Sequence, residues 1–473
     1  MSLAGLDASE PVRRLREALS EAPGAWLVGG VVRDALLERP LVDFDLAVRG
    51  GARAAAQAVS RALGGPAFSL SESFGAWRAL DAQRRFHVDV SALQGTTIEE
   101  DLGRRDFTIN AIAVPLAGGE AVDPRGGAAD LRDRVLRLVS PRAYDQDPLR
   151  ALRLVRFAAE LGFAPEPETE RLTVQTAPRL SEPSPERVFA ELRRLLVADG
   201  ALAGIDLAGR LGVLAAVLPE LSELEGIEQS RFHHLDVLGH TIEVLRHLIA
   251  IESEPERVFG EQLGPFVRAA LAEPLADELT RGQALRLGAL FHDVGKPATR
   301  AVREDGRVTF IGHDRAGEQL VGEVFRRLST SERLRSFVGR LTREHLRLGF
   351  LVHHRPLDAR ALHGYLRACQ PVEVEVTVLS CADRMATAAA GQEGRIAAHL
   401  ELAREVMAAA LSWRATGPPR APLRGDELAR ELSISPGPEL GELLAELESA
   451  VYAGEVATRE EAVAYARRMR DDR

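Results

Sequence analysis

Lysine is all but missing from this chain. Lys296 stands alone, and arginine supplies the rest of the 60 basic residues. The bias fits a GC-rich coding sequence, and it also suits planar, bidentate contacts to bases and phosphates. Lys296 is therefore a candidate for a role that arginine cannot fill. Cysteine is nearly as scarce: Cys369 and Cys381 are the only two. They have no C-x-x-C spacing, which excludes a disulfide framework and a zinc knuckle and points to a reducing compartment. No uninterrupted apolar run reaches membrane-spanning length, and residues 1–23 carry no apolar core of signal-peptide type. The expected location is cytoplasmic, with no membrane partner. A net charge of −10 weighs mildly against a nucleic-acid partner, although local arginine patches matter more than the sum.

What remains is ordinary for a globular protein, with 45% hydrophobic and 27% charged residues among 473. That length suggests roughly three to four domains. After a packing helix near Pro11–Glu21, the pattern reads strand Trp26–Gly30, helix Val31–Leu37, strand Val42–Val48 and helix Arg53–Leu63. Further strands are expected at Trp77–Leu80, Phe86–Val90, Thr108–Val114 and Val135–Val139, completing one small sheet. Beyond Pro141 the period becomes helical and stays so, with Pro148–Leu161 the clearest case. Gly417–Arg424, with three prolines, reads as a linker to a last helical module.

The first chemical constellation lies early. Gly29 and Gly30 separate a strand from a helix start, a place where backbone approaches a phosphate and Arg33 adds a charge-assisted contact. In Val42–Val48, Asp43 and Asp45 are two apart, so they share one face of a strand while Phe44 and Leu46 enter the core. Paired carboxylates repel unless a divalent cation lies between them, and Mg²⁺ takes one or two carboxylates plus substrate phosphates. Solvated acids on an edge strand are the bland alternative, which the upstream glycine pair disfavours. Asp89 is a candidate third carboxylate on a neighbouring strand.

Four ordered motifs then carry a resemblance. They are Gly29-Gly30-Val31-Val32-Arg33-Asp34 with Asp43-Phe44-Asp45; Asp101-Leu102-Gly103-Arg104-Arg105-Asp106-Phe107-Thr108-Ile109-Asn110-Ala111; Asp145-Gln146-Asp147-Pro148-Leu149-Arg150-Ala151-Leu152-Arg153; and Glu186-Arg187-Val188-Phe189-Ala190-Glu191-Leu192. From about Ala25 to Gly200 the chain resembles the class II tRNA nucleotidyltransferase and poly(A) polymerase family, the CCA-adding enzymes. The resemblance implies addition of C and/or A to the 3′ end of tRNA from CTP and ATP, without a template. Asp43 and Asp45 would then be the catalytic, metal-holding residues, with Mg²⁺ the expected cofactor. Gly29, Gly30, Arg33 and Arg105 would hold the nucleotide, with Asp106 orienting Arg105.

Asp147 and Arg150 lie three apart, one face of a helix that Pro148 opens. An acceptor beside a donor matches the Watson–Crick edges of cytosine and adenine and leaves uracil and guanine with unpaired polar groups. The resemblance implies the same base-reading role for this pair, and a capped helix with a routine ion pair is the alternative. Gln146 stands where the family usually has an acid. Arg150, Arg153 and Arg156 form a stripe at spacing three that could hold triphosphate or the acceptor end, with solvated arginine the alternative for Arg156. Only Ser91–Ile98 separate the Asp89 strand from the second motif. The family associates a longer loop there with the switch from C to A addition, so a CC-adding, an A-adding and a full CCA-adding enzyme all stay open, with poly(A) polymerase behind them.

A second constellation is rich in histidine: His240, then His292-Asp293, His313, Glu344-His345, His353-His354 and Asp383. Imidazole and carboxylate on successive helices can converge on one divalent ion. From about His233 to Arg384 the order resembles the HD phosphohydrolases. That implies a metal of unknown identity at His240, His292, Asp293 and Asp383, with a second at His313 and His345. Glu344 stands where relatives often have His. Such a site could hydrolyse phosphate esters at RNA ends, and an HD fold kept only for tRNA shape is the alternative.

The expected architecture is α+β: a small nucleotidyltransferase sheet-and-helix head (1–140), then all-helical neck (141–225), HD (226–395) and tail (396–473) parts. The tail resembles an RNA-binding module. Rival readings are a hydrolase centred on His292 and Asp293 and a non-catalytic RNA-binding protein.

Overall fold

The computed structural model describes residues 3–20, 24–71, 75–229, 235–352, 355–387 and 393–471. The chain falls into two compact units, Met1–Val217 and Leu218–Arg473. Among the described residues no helix is long and apolar enough to cross a membrane.

The first unit is built on a six-stranded sheet of order β3-β4-β5-β2-β1-β6. Its strands are β1 (Ala25–Val28), β2 (Asp43–Val48), β3 (Gly64–Ser71), β4 (Ala76–Asp81), β5 (His87–Ala92) and β6 (Ala113–Pro115). β2 and β5 run parallel at the centre, with Asp45 opposite Asp89, and the other pairs are antiparallel. β2 alternates as its sequence requires: Phe44 and Leu46 are buried, and Phe44 meets Phe86 edge-on at 5.5 Å. The Ala52–Leu63 helix closes at Gly64 in the left-handed region, and β3 starts there without a connecting loop. Helices Arg150–Leu161, Pro185–Val197 and Ala201–Arg210 pack on one another beyond the sheet.

Two expected strands are corrected. Thr108–Val114 is a 3₁₀ turn at Thr108–Asn110 followed by the short β6. Val135–Leu136 pairs with Ala164–Pro165 in a separate two-stranded sheet and does not complete the large one. The helix expected from Pro148 starts at Arg150, with Asp147 in extended backbone.

Among its described residues the second unit is helical apart from two small hairpins. Val237–Ser253, Arg281–Phe291, His313–Arg327, Glu332–Glu344 and Glu373–Ala386 carry the histidine constellation. His233 and His353-His354 lie outside the described residues. Gly425–Leu432, Pro438–Tyr452 and Arg459–Asp471 form the tail around a core of Leu428, Leu443, Leu447, Ala462 and Ala466. Its arginines are largely engaged: Arg467 and Arg470 donate to the carbonyls of Glu431 and Leu432, closing the end of the first tail helix. Arg360 ties that module to the preceding helices through Glu455 and Tyr465.

Candidate functional site

β1 ends at Val28, and the chain turns at Gly29 with φ of +71°. A Cβ there would stand 2.9 Å from Arg105 Nη1 and 3.1 Å from Asp45 Oδ2. Only glycine therefore lets the carboxylate and the guanidinium close over the turn. Asp101 accepts from Arg105 through Oδ2 at 3.1 Å and so positions it. The expected orienting role of Asp106 is corrected, because Asp106 is committed elsewhere.

Asp43 and Asp45 share one face of β2, as the strand period demands. Asp43 is exposed and lies 3.3 Å from His87 Nδ1. Burial pushes the Asp45 carboxyl up to about 6; Arg105 pulls it down, while Asp89 and Asp43 push it further up. Both oxygens of Asp89 accept from Arg78, at 2.7 and 2.8 Å, so its charge is already balanced. Of the carboxylates that line the cleft, Asp34, Asp89, Asp106 and Glu160 are held by arginines, while Asp43 and Asp45 lie together on one strand face, and their mutual repulsion fits a divalent cation. The cleft encloses about 780 Å³ beside Gly30, Arg33, Asp43, Asp45, Arg105 and Arg153. That is a volume suited to a nucleotide-sized ligand.

The arginine stripe is a paired wall. Arg33 grips Asp34 in a fork at 2.9 Å and donates Nη1 to Asn110 Oδ1 at 2.9 Å. Asn110 passes a hydrogen bond to Asp106 at 3.0 Å, and Arg153 reaches the other oxygen of Asp106 at 2.6 Å. Burial raises the Asp106 carboxyl, but Arg153 and the donors from Asn110 and Phe107 outweigh it and hold it below the ordinary carboxylate range. Arg156, read above as a solvated or nucleotide-holding arginine, is 1% exposed and clamped by Glu191 and Glu160, each at 2.5 Å. It borders the cleft with its charge neutralised.

The alternative of a routine ion pair between Asp147 and Arg150 is removed: the two do not bond to each other. Asp147 Oδ2 accepts from Arg187 at 2.5 Å, and Oδ1 accepts the Leu149 N–H at 3.2 Å. Arg150 donates to the carbonyls of Arg104, Arg105 and Ala143 and to Gln146 Oε1. Asp101, Asn110, Arg187 and Glu191 escaped the sequence reading as site residues, though all lie inside the quoted motifs.

The second constellation converges as well. Ligand atoms of His240, His292 and Asp293 lie within 4.8 Å of one another, and so do those of Asp293, His313 and His345. Asp293 belongs to both groups. Asp383 Oδ1 is 3.0 Å from His240 Nε2. His292, His313 and His345 each direct Nδ1 at the carbonyl three residues back, at 2.7 Å. A carbonyl only accepts, so Nδ1 carries the proton and Nε2 is left for the centre. Burial, then His292, lowers His345 to about 4, which keeps that imidazole neutral and ligand-competent. Burial would raise Asp293, but His292 and Lys296 hold it well below the usual range. This donor set fits divalent metal. Glu344 turns away to Arg340 and Arg347.

Sequence-family comparison matches residues 25–137 to a poly A polymerase head domain and 162–224 to a probable RNA and SrmB-binding site of polymerase A. Residues 237–388 match an HD domain. The chain is 37% identical to the A-adding tRNA nucleotidyltransferase of Deinococcus radiodurans, over 95% of this chain and 96% of that one. It is 34% identical to the CC-adding tRNA nucleotidyltransferase of Thermus thermophilus, over 93% and 92%. A solved complex of a CCA-adding enzyme with ATP shares the fold at a TM-score of 0.64 and 21% identity, covering 99% of this chain and 96% of that one.

Proposed function

Because the chain belongs to the tRNA nucleotidyltransferase family, with relatives alike over nearly its whole length, we propose residue roles and a subtype for the activity that membership brings. The protein is an enzyme that adds C and/or A to the 3′ end of tRNA from CTP and ATP, without a nucleic-acid template. Its two metal-binding parts are a head and an HD domain, both of types that take divalent ions.

Asp43 and Asp45 hold Mg²⁺ in the head. Support comes from their shared strand face, from the raised Asp45 carboxyl and from the neutralised Asp89 beside them. Bound there, divalent ions would lower the pKa of the attacking 3′-hydroxyl and stabilise the departing pyrophosphate. The chain's own residues do the rest. Gly29 and Gly30 let the triphosphate approach the backbone, and Arg105 places its guanidinium beside Asp45 for the α-phosphate region. Arg33 and Arg153 line the cleft while the Asp106–Asn110 network fixes their directions. Arg156 supports that wall from behind. Asp147 and Arg150 read the base after exchanging their present partners for it.

The subtype is partial addition, either CC or A. The observation behind it is the connection from β5 to the Ile98–Leu102 helix, which is short and tied down at several positions. Gln94 N–H donates to Asp101, Thr96 bonds Glu100, and Thr97 caps the helix. That connection lacks the longer loop that the resemblance ties to the switch from C to A addition. The test offers three tRNAs, ending before CCA, after one C and after CC, with CTP and ATP. Products that stop at CC, or that form only from the CC-ended tRNA, fit this reading; all three tRNAs completed to CCA would overturn it. Asp43→Ala should abolish incorporation from either nucleotide.

A second activity is favoured by one observation, the two ligand groups sharing Asp293. It is metal-dependent phosphate-ester hydrolysis at RNA ends, carried by His240, His292, Asp293 and Asp383 with His313 and His345. Phosphatase turnover that survives Asp43→Ala and is lost in His292→Ala is the expected result. The division into head, neck, HD and tail at 140, 225 and 395 follows these roles. A cytoplasmic location suits a tRNA substrate and two buried free thiols.

A further inference from the structure

The lone lysine has a definite place. Lys296 is 7% exposed and sits one turn after Asp293. Its Nζ lies 2.6 Å from Asp293 Oδ2 and 2.6 Å from Gln229 Oε1. Gln229 spends its amide protons on the carbonyls of Leu235 and Asp236, at 3.4 and 3.3 Å, so its oxygen is turned toward the ammonium. The ring of Phe310 covers the other side, 5.4 Å from Nζ.

Asp293 Oδ2 is also the oxygen that faces His292 Nε2 at 3.1 Å and His240 Nε2 at 3.8 Å. The other oxygen, Oδ1, faces His313 at 3.3 Å and His345 at 3.8 Å. Asp383 approaches the same group through His240. Among the described residues, the groups facing Asp293 are thus four imidazoles and the Lys296 ammonium. A buried carboxylate needs such a charge. A divalent ion held by Oδ2, His240 and His292 would supply two more positive charges within a few ångströms of the ammonium, against Asp293 and Asp383 among the described residues.

We propose that Lys296 is the counter-ion of the metal-free HD centre, and that a divalent cation entering the His240–His292–Asp293 group competes with its ammonium for Asp293 Oδ2. This rests on the reading of that centre as a metal site. It also explains why arginine is not used here. An ammonium is compact and can give donors in separate directions to Asp293 and Gln229. A guanidinium is a wide planar fork on a stem that places it further out. The consequence is a centre that stays folded and charge-balanced when empty and binds its ion more weakly than the donor set alone would allow.

The test uses Zn²⁺ as the probe on the full chain carrying Asp43→Asn and Asp45→Asn, which removes the head carboxylates. Calorimetry measures Zn²⁺ affinity with and without Lys296→Met. The expected result is roughly tenfold tighter Zn²⁺ binding in the Lys296→Met protein, from the relief of cation–cation repulsion. In chelator the same variant should unfold at lower temperature, and saturating Zn²⁺ should abolish the difference. Because the chain has one lysine, ¹³Cε-lysine labelling gives one side-chain signal in the otherwise unmodified protein, whatever the variant does to folding. That signal should move in proportion to Zn²⁺ occupancy. Unchanged affinity together with an unmoved lysine signal would overturn the counter-ion role while leaving the metal site intact. If the parent protein binds no Zn²⁺ that His292→Ala removes, the metal-site reading falls, and this proposal with it.

Discussion

Asp147 closes on Arg187 at 2.5 Å, and Arg150, one helical turn away, is held by backbone carbonyls of Arg104 and Arg105. The two base-reading candidates are thus each satisfied by a different partner before any base arrives. Arg187 is half exposed, so its pair with Asp147 contributes no more than about 1 kcal/mol to stability. Its larger effect is to aim one carboxylate oxygen. Arg187→Ala should leave the melting temperature nearly unchanged. It should also raise misincorporation of UTP and GTP relative to CTP and ATP roughly tenfold, about the worth of one well-placed hydrogen bond. Selectivity unchanged from the parent would remove Arg187 from base reading.

That relationship also marks where sequence reasoning stopped. Types and periods were legible: alternation put Asp43 and Asp45 on one face, and the order His240, His292-Asp293, Asp383 anticipated a convergent centre. Which arginine meets which acid was not legible. Arg153 finds Asp106 across 47 positions, and Arg156 finds Glu191 across 35, so spacing along a helix said nothing about either. The edge strand β3 was missed because it opens on Gly64-Gly65-Pro66, a turn signal, directly after a helix. Val135–Leu136 had a strand's composition but pairs with Ala164–Pro165, and composition does not choose a partner.

Gly29 is a position where an added methyl has both a backbone and a chemical cost. Its φ of +71° strains any L side chain, and the new Cβ would meet Arg105 and Asp45 at 2.9 and 3.1 Å. Gly29→Ala should lose about 1–3 kcal/mol of stability. Displacing either group by a fraction of an ångström should cut nucleotide addition by roughly 100-fold. Denaturant unfolding and CTP incorporation measured side by side check both; full activity in a destabilised protein would mean that Asp45 and Arg105 do not act across this turn.

Asp106 joins the Arg33–Asn110 arm to Arg153. Its folded carboxyl lies below the ordinary value of 3.8, despite burial, because Arg153 and two hydrogen-bond donors favour the charge. The stability it contributes is therefore complete above pH 3.8 and is lost as pH falls below that toward the folded value. Asp106→Asn leaves Arg153, a third exposed, with the more distant Glu191, at 3.5 Å, and should cost about 1–2 kcal/mol at pH 7, since solvent screens part of the lost pairing. The gap between variant and parent should narrow in unfolding experiments taken down to pH 3. A gap independent of pH would mean that packing, not charge, is what Asp106 supplies.

Asp45 carries the opposite sign. Its folded carboxyl is pushed up to about 6 from 3.8, chiefly by burial, so the neutral acid is the form that favours folding. That advantage is complete below pH 3.8 and is lost as pH rises through 6. Above 6 the metal-free protein holds a carboxylate that it would be more stable without. Asp45→Asn should then melt higher than the parent in chelator at pH 8, by about 1–3 kcal/mol. Water reaching Asp45 through the cleft puts the effect toward the lower end. The difference should vanish near pH 4, where both side chains are neutral. Saturating Mg²⁺ should close it from the other direction at pH 8, by stabilising the parent alone. The variant should add no nucleotide under any of these conditions. Thermal melts across this range check the argument, and a variant no more stable than the parent at pH 8 in chelator would show that Asp45 is not strained by its neighbours. The strain is the physical reason to place the cation at Asp45, since the ion converts the least comfortable charge in the head into a ligand.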